Sequence, residues 1–592
     1  MCNPTSNPNL IPSIPIPEKP PHDLLSSNIY LDLLSFTNNL EEDKDTSIPI
    51  NNNNNVVVIK DYDDDDDDDD NDNDNDNNSS LTYLSVPVLH SLWYGSVSDV
   101  VKESRSLFSL AFPILLTNLI LYSRSMLSMV FLGRIGDAEL AAGSLAIAFA
   151  NITGYSVYSG LALGMEPLCS QAFGACRPKL LSLTLQRCVI FLLFCSLPIS
   201  FFWLNMSTFM GYLHQDENIG KLAHVYITFC LPDLFTNSLL HPIKIYLRAQ
   251  GITRPVTLAS LVGAIIHVPI MFFLVVHLNL GIAGVAIATS ASNLISLGVL
   301  MMQVWLSGLH IPTWSPLSRE CLTGWWPLVR LAAPSCLSVC LEWWWYEIMI
   351  VLCGLLVDPK ASVASMGVLI QTTGLIYNFP ASLSNAVSTR VGNELGAGRP
   401  ERAKLLGVLG IAWAAIMGLG AMVFAFGARN VWAQMFTGDP EILALTAAAL
   451  PILGFCELGN CPQTVACGVV RGTARPTTAA NVNLGAFYVV GTPVAVGLAF
   501  YFGVGFCGIW IGLLSAQICC AGLLFYVVGT TDWNCQANRA QLLTQCGGPG
   551  PGPGLSSETR VTVDTPLLYD DKKNNQLDDE KEPLICILVT SS

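Results

Sequence analysis

Charge is the scarcest property of this chain. Only 12% of its 592 residues are Asp, Glu, Lys or Arg, whereas 51% are hydrophobic. A soluble domain carries roughly 25% charged residues. Half that share over this length excludes an ordinary water-soluble protein and means that most of the chain meets lipid. A metal knuckle is also missing. The 19 cysteines are scattered, many of them inside apolar runs (Cys188, Cys195, Cys336, Cys340, Cys519, Cys520), and no C-x-x-C pair occurs. Neither a disulfide scaffold nor a structural zinc site is expected, and the cysteines read as small apolar fillers at helix contacts. There is no phosphate-binding glycine loop, no zinc-binding His pair on a helix and no clustered Ser/His/Asp set. The chain is therefore expected to be neither an enzyme nor an ATP-driven pump, to hold no metal or cofactor, and to bind no nucleic acid. The first residues lack the basic start and single apolar core of a secretory leader, so the first true span is expected to act as its own membrane signal.

What is present is a long array of apolar runs between two polar tails. Residues 1–103 are Asn-, Asp- and Pro-rich and contain Asp61, the unbroken run from Asp63 to Asp70 and an Asn/Asp stretch through Asn78, which together carry much of the net charge of −16. Such a run repels itself and cannot bury a core, so this segment is predicted to be a disordered cytosolic arm. Twelve spans are predicted near 106–132, 138–164, 180–203, 222–245, 256–277, 282–306, 327–353, 361–388, 404–427, 441–467, 478–502 and 506–528. Each is about twenty residues or longer, the length an α-helix needs to cross the hydrocarbon. A β-barrel is excluded because the runs are too long and do not alternate. Residues 104–310 and 311–529 then form two six-helix lobes, and 530–592 a disordered cytosolic tail with a Gly/Pro hinge at 547–554. The loops after even-numbered spans hold thirteen Lys and Arg, among them Arg177, Arg254, Arg399 and Arg475, against four after odd-numbered spans (Arg134, Lys221, Lys360, Arg429). The positive-inside rule places the first set, and both termini, in the cytosol.

The two halves repeat one another at a nearly constant offset. Leu110 to Pro113 answers Leu331 to Pro334, Gly133 answers Gly354, and Asp137 answers Asp358. Gly174 to Pro178 answers Gly396 to Pro400, Gly251 to Pro255 answers Gly472 to Pro476, and Gly281 to Gly284 answers Gly505 to Gly508. Six spans per repeat is an even number, so both halves enter from the same side and are related by an axis along the membrane normal. The predicted fold is all-α and integral to the membrane, with twelve helices in two pseudo-symmetric six-helix bundles (a parallel repeat). A cleft between like bundles can be exposed to each side in turn as they rock.

Four runs resemble one known family. MEPLCSQAFGA at 165–175 resembles the signature after the second span of the multidrug and toxic compound extrusion (MATE) family, and RVGNELGAGRP at 390–400 resembles its counterpart after the eighth. CLEWWWYE at 340–347 resembles the seventh-span motif of eukaryotic members, and VRGTARP at 470–476 the loop after span ten. The overall look is similar to the plant detoxification-type transporters. The resemblance covers about residues 104–529. It implies two six-helix lobes and antiport of an organic solute, generally against protons in eukaryotic members, with a proton gradient as the driving force.

Glu342 is the leading candidate for the coupling residue. It lies about fourteen residues into span seven, where an ionised carboxylate costs roughly 2.5–3.5 kcal/mol on insertion scales. The uncharged acid is the cheaper form there, so a proton can bind or leave as the cleft changes sides, and a cation can take its place. A structural pairing with a neighbouring helix is the competing reading. Glu347 lies about 140° around the helix, so the two are not expected to point at one spot. Tyr346 shares the face of Glu342, and one of Trp343, Trp344 and Trp345 is expected to offer a cation–π contact. On span ten, the position where family members place an acid is Asn460 here. Glu457, one turn earlier, is the candidate replacement, with Gln463 extending the stripe and Pro462 freeing a backbone carbonyl. On span one, Ser128 stands where some bacterial members carry Asp, so coupling is expected to rest in the C-terminal lobe. Gln371, Tyr377 and Asn378 of span eight are expected to line the cavity or to bond between helices. Glu166 and Glu394, beside Arg177 and Arg399, read as loop-anchoring ion pairs or gate elements.

The expected function is proton-coupled efflux of small organic compounds by a monomer. The same-class alternative is export of an organic anion or hormone acid. From another class, a lipid flippase or a channel remains open, although the intramembrane ionisable residues read as mostly acidic or neutral. Plasma, vacuolar and endosomal or Golgi membranes all fit. Two acidic dileucine strings in the tail, around Leu567 and Leu568 and around Leu584 and Ile585, are candidate sites for sorting adaptors.

Overall fold

The computed structural model describes residues 97–212 and 217–546, which are helical almost throughout and contain no strand. The acidic arm before residue 97 and the dileucine strings lie outside the described residues. Ten helices are long and apolar enough to cross a bilayer: Ser98–Ile135, Ala138–Gly174, Pro178–Leu204, Arg254–His277, Gly281–Leu306, Trp326–Gly354, Pro400–Ala428, Pro440–Gly472, Pro476–Tyr501 and Phe506–Gly529. Glu217–Ala249 and Pro359–Gly396, of 33 and 38 residues, complete a set of twelve. These two, spans four and eight, are the most polar because they carry the side chains that face the interior: Asp233, Asn237 and Lys244 on one, Gln371, Asn378 and Arg390 on the other.

Several ends differ from expectation. Span one already starts at Val97, inside the segment assigned to the polar arm. The signature stretches are helix rather than loop: Glu166–Gly174 continues span two after a break at Gly164 and Met165, and span eight runs unbroken to Gly396. The tail also begins with structure. Trp533–Cys546 is a helix, where a disordered tail was expected. Trp533, Ala537, Ala540 and Thr544 share one helical face and are all buried, so the segment is an amphipathic helix docked on the body. It touches spans eight and nine and the end of span two.

Each lobe has its own apolar core, and the first helix of each lobe crosses over. Span one lends Leu107, Leu110 and Ala111 to the C-terminal core, while span seven lends Leu328 and Ala332 to the N-terminal one. Between the lobes, residues 307–325 are pinned to span three. The Ser315 amide donates to Ser182 Oγ (3.0 Å), and Gln186 Nε2 donates to the Ser315 carbonyl (2.9 Å). The outer faces carry large apolar side chains such as Phe201 and Trp305, as a lipid-facing surface requires.

The duplication is visible in detail. Pro113 and Pro334 sit inside spans one and seven, and π-helical turns fall at matching ends of spans five and eleven, Phe273–His277 and Gly497–Tyr501. The lobe contact is reciprocal as well. A methyl group on Gly174 would overlap the carbonyl oxygen of Asn393, and one on Gly396 would overlap that of Gln171. Only glycine lets the two signature helices approach this closely.

Candidate functional site

A cavity of about 630 Å³ lies between the lobes, lined by spans one, two, four, five, seven, eight and ten. It is closed at the end where spans two, four, eight and ten terminate. There the buried carboxylate of Glu166 holds two guanidinium groups, Arg248 of its own lobe at 3.2 Å and Arg471 of the other lobe at 2.9 Å. Gln171 Nε2 donates to the Gly472 carbonyl (3.0 Å), again across the lobes. Glu394 pairs with Arg399 (2.6 Å) and Arg390 (3.4 Å), and Arg390 also reaches Glu103 of span one (3.2 Å). Both acids are thus ion-paired. Glu166, however, bridges Arg248 and Arg471 rather than meeting Arg177. Away from this end, cross-lobe hydrogen bonds continue as far as Trp344 Nε1 to the Ile152 carbonyl (3.2 Å) and Tyr122 OH to the Gln371 carbonyl (2.9 Å).

Of the coupling candidates, the cavity gathers two and leaves out one. Glu342 and Glu347 both line it, although their separation around the helix argued against a common target. Span seven stands at the seam, and the cavity wraps an arc of it from Ser338 to Glu347, so one wide hollow meets both. Among the described residues neither carboxyl group has a hydrogen-bond or ion-pair partner. Tyr346, Gln371, Tyr377 and Asn378 line the same cavity, as do Trp343 and Trp344. Trp345 is fully buried instead, against Phe487 and Tyr488. Glu457, Asn460 and Gln463 form the predicted stripe on span ten but do not line the cavity. Glu457 is buried, accepts from Thr373 Oγ1 and from Asn460 Nδ2 (2.9 Å), and so is bonded within its lobe. Gln463 and Pro462 are buried beside it, the Gln463 amide with no hydrogen-bond partner.

Sequence reasoning missed the polar interior of the N-terminal lobe. Asp233 of span four is buried and accepts from Tyr155 OH (2.7 Å), Asn293 Nδ2 (2.6 Å) and Asn237 Nδ2 (3.0 Å). Arg124 of span one and Lys244 lie within its electrostatic reach. The signal was an acid with Asn at i+4 at mid-length of a membrane-length helix. Ser128, at the vacated carboxylate position, bonds His267 Nε2 (3.2 Å) instead of facing the cavity. The reading of the intramembrane groups as mostly acidic or neutral is corrected too, because His241, Lys244, Arg248 and Arg471 all line the cavity.

The MatE family model matches the chain twice, over residues 113–273 and 334–496, once in each lobe and starting at the repeated prolines. The chain belongs to the MATE family. Among its relatives, Protein DETOXIFICATION 51 of Arabidopsis thaliana is 63% identical over 493 residues, covering 83% of this chain and 90% of the relative. The crystal structure of the eukaryotic MATE transporter AtDTX14 superposes with a TM-score of 0.73 at 30% identity, over 75% of this chain and 99% of that one. The Vibrio cholerae MATE transporter VcmN in its bent form gives 0.64 at 18% identity, over 75% and 99%, and shares the fold. This MATE protein is therefore a multi-pass membrane efflux transporter with twelve helices in two bundles.

Proposed function

We propose that this MATE transporter exports small organic compounds in exchange for protons by alternating access, with Glu342 as the exchange site. The observation that carries this reading is the position of the Glu342 carboxyl group, which faces the inter-lobe cavity without a protein partner among the described residues. A carboxylate left alone in a low-dielectric hollow has two inexpensive states, protonated or paired with a cation. Proton and cationic cargo then compete for one group, and rocking of the lobes turns that competition into exchange. Glu347 provides a second carboxyl group on the same wall, and Trp343 and Trp344 present ring faces to a cation. Glu457, bonded inside its lobe, serves as a supporting acid.

The basic loops put both termini in the cytosol, and plasma, vacuolar and endosomal or Golgi membranes all suit such a carrier. A single chain builds the whole cavity, which suits a monomer. In sealed vesicles with an imposed pH gradient, Glu342→Gln is expected to abolish gradient-driven accumulation of an organic cation while membrane insertion stays intact. Uptake equal to that of the native protein would remove Glu342 from the mechanism.

A further inference from the structure

The cavity has two walls of opposite sign. On span four, His241, Lys244 and Arg248 are spaced i, i+3 and i+7 and fall on one face, and all three line the cavity. On the opposite lobe, span seven presents Glu342 and Glu347. Arg248 is held by Glu166, as is Arg471. Lys244 and His241 are not: among the described residues neither has a hydrogen bond or an ion pair, and Lys244 is half-buried. The charges local to Lys244 do not cancel. Arg124 and Lys244 are two cations against the single carboxylate of Asp233, whose oxygens already take three neutral donors. An ammonium group kept in a hollow of about 630 Å³ without its own counter-ion is costly unless cargo provides one.

We infer that the cargo is amphoteric, carrying a basic nitrogen for the Glu342 wall and a carboxylate or similar acid for Lys244. This rests on the exchange reading above and names its substrate class. A plain anion does not fit that exchange. It binds best when Glu342 and Glu347 carry protons, so it would move with protons rather than against them. A plain cation satisfies one wall and leaves Lys244 bare. An amphoteric molecule meets both walls: its nitrogen displaces the proton, and its acid neutralises the ammonium without entering the proton competition. Because the two walls belong to different lobes, such a cargo also ties the lobes together at the depth of the cavity.

The test uses permanently charged probes, which cannot cross the bilayer by losing a proton. N,N,N-trimethylphenylalanine is the zwitterion, its methyl ester the matched cation, and 3-phenylpropane-1-sulfonate the matched anion. Uptake of each labelled probe into inside-acid proteoliposomes of the full chain is measured over a range of concentrations. The zwitterion is expected to have a KM roughly tenfold below that of the ester, as one charge-assisted contact provides, and the sulfonate is expected not to exchange. In Lys244→Met the ratio of the two KM values should collapse to within about twofold of one, and Lys244→Arg should restore it. A native protein that handles the ester as well as the zwitterion would overturn the inference, even if no Lys244→Met protein were recovered. So would a Lys244→Met protein that weakens both probes equally, since that marks a structural lysine. If neither the ester nor the zwitterion responds to the pH gradient, the exchange reading itself fails, an outcome distinct from loss of preference between them.

Discussion

Ionisable side chains in this transporter fall into two populations, those satisfied by protein and those that face the hollow alone. Asp233 belongs to the first. Three donors converge on it, and removing the carboxylate strands Tyr155 OH and Asn293 Nδ2 in the interior, while Asn237 Nδ2 keeps the Asp233 carbonyl (3.0 Å). A stranded buried donor costs about 1–3 kcal/mol, so Asp233→Ala should destabilise the N-terminal lobe by several kcal/mol and lower the melting temperature in detergent, whereas Asp233→Asn should recover part of the loss. Equal melting of the alanine variant and the native protein would show that the network adds nothing. Glu342 was legible in the sequence because it stands inside an apolar helix within a recognisable motif. Lys244 was not, although it is as conspicuous a residue. Hydropathy locates a residue by depth but not by azimuth, and the direction of span four is set by its packing against spans two, three and six. The same limit explains Glu347, which helical geometry alone turned away from the hollow.

Most of the helices could be read from the sequence, because their length and apolarity are dictated by the bilayer. Spans four and eight are the least apolar for the same reason that they matter, since their polar faces look inward. The π-helical turns, including Asn151–Tyr155 and Leu484–Gly491, had no sequence signal, because a change from i+4 to i+5 bonding depends on how neighbours pack. The signature stretches were visible as motifs but not as helices. Their glycines explain both the repetition and the contact: Gly174 and Gly396 each admit the other lobe's backbone. Gly174→Ala and Gly396→Ala should each push the signature helices apart and open the ion-paired end. Cys169, fully buried on the same helix, should then react with a membrane-permeant maleimide, while exposed Cys176 reacts in both proteins. Peptide mapping that shows Cys169 still protected in both variants would mean that the contact tolerates a methyl group.

At the scale of the whole molecule, duplication places one core in each lobe and the cavity-lining polar groups at the seam between them. The repeat was readable from paired Gly and Pro positions. The docked helix after span twelve was not, because its buried face is made of Trp, two Ala and Thr, too weak a pattern to stand out beside membrane spans. Trp533 packs against Gly407 of span nine. Trp533→Ala removes the largest anchor of a short helix, and local release rather than global unfolding is the expected result. Tryptic cleavage after Arg539 should accelerate by roughly tenfold or more with the melting temperature of the twelve-helix body nearly unchanged. Unaltered cleavage would show that Trp533 does not hold the helix in place.

That helix rests on spans eight and nine and also on the end of span two, so in the proposed rocking cycle it straddles the joint between the lobes. In that cycle it would act like a wedge under a seesaw, and the shut end would part only as one of its footings slips. The pace of the export cycle would then depend on a peg outside the bilayer as well as on what occupies the hollow within it.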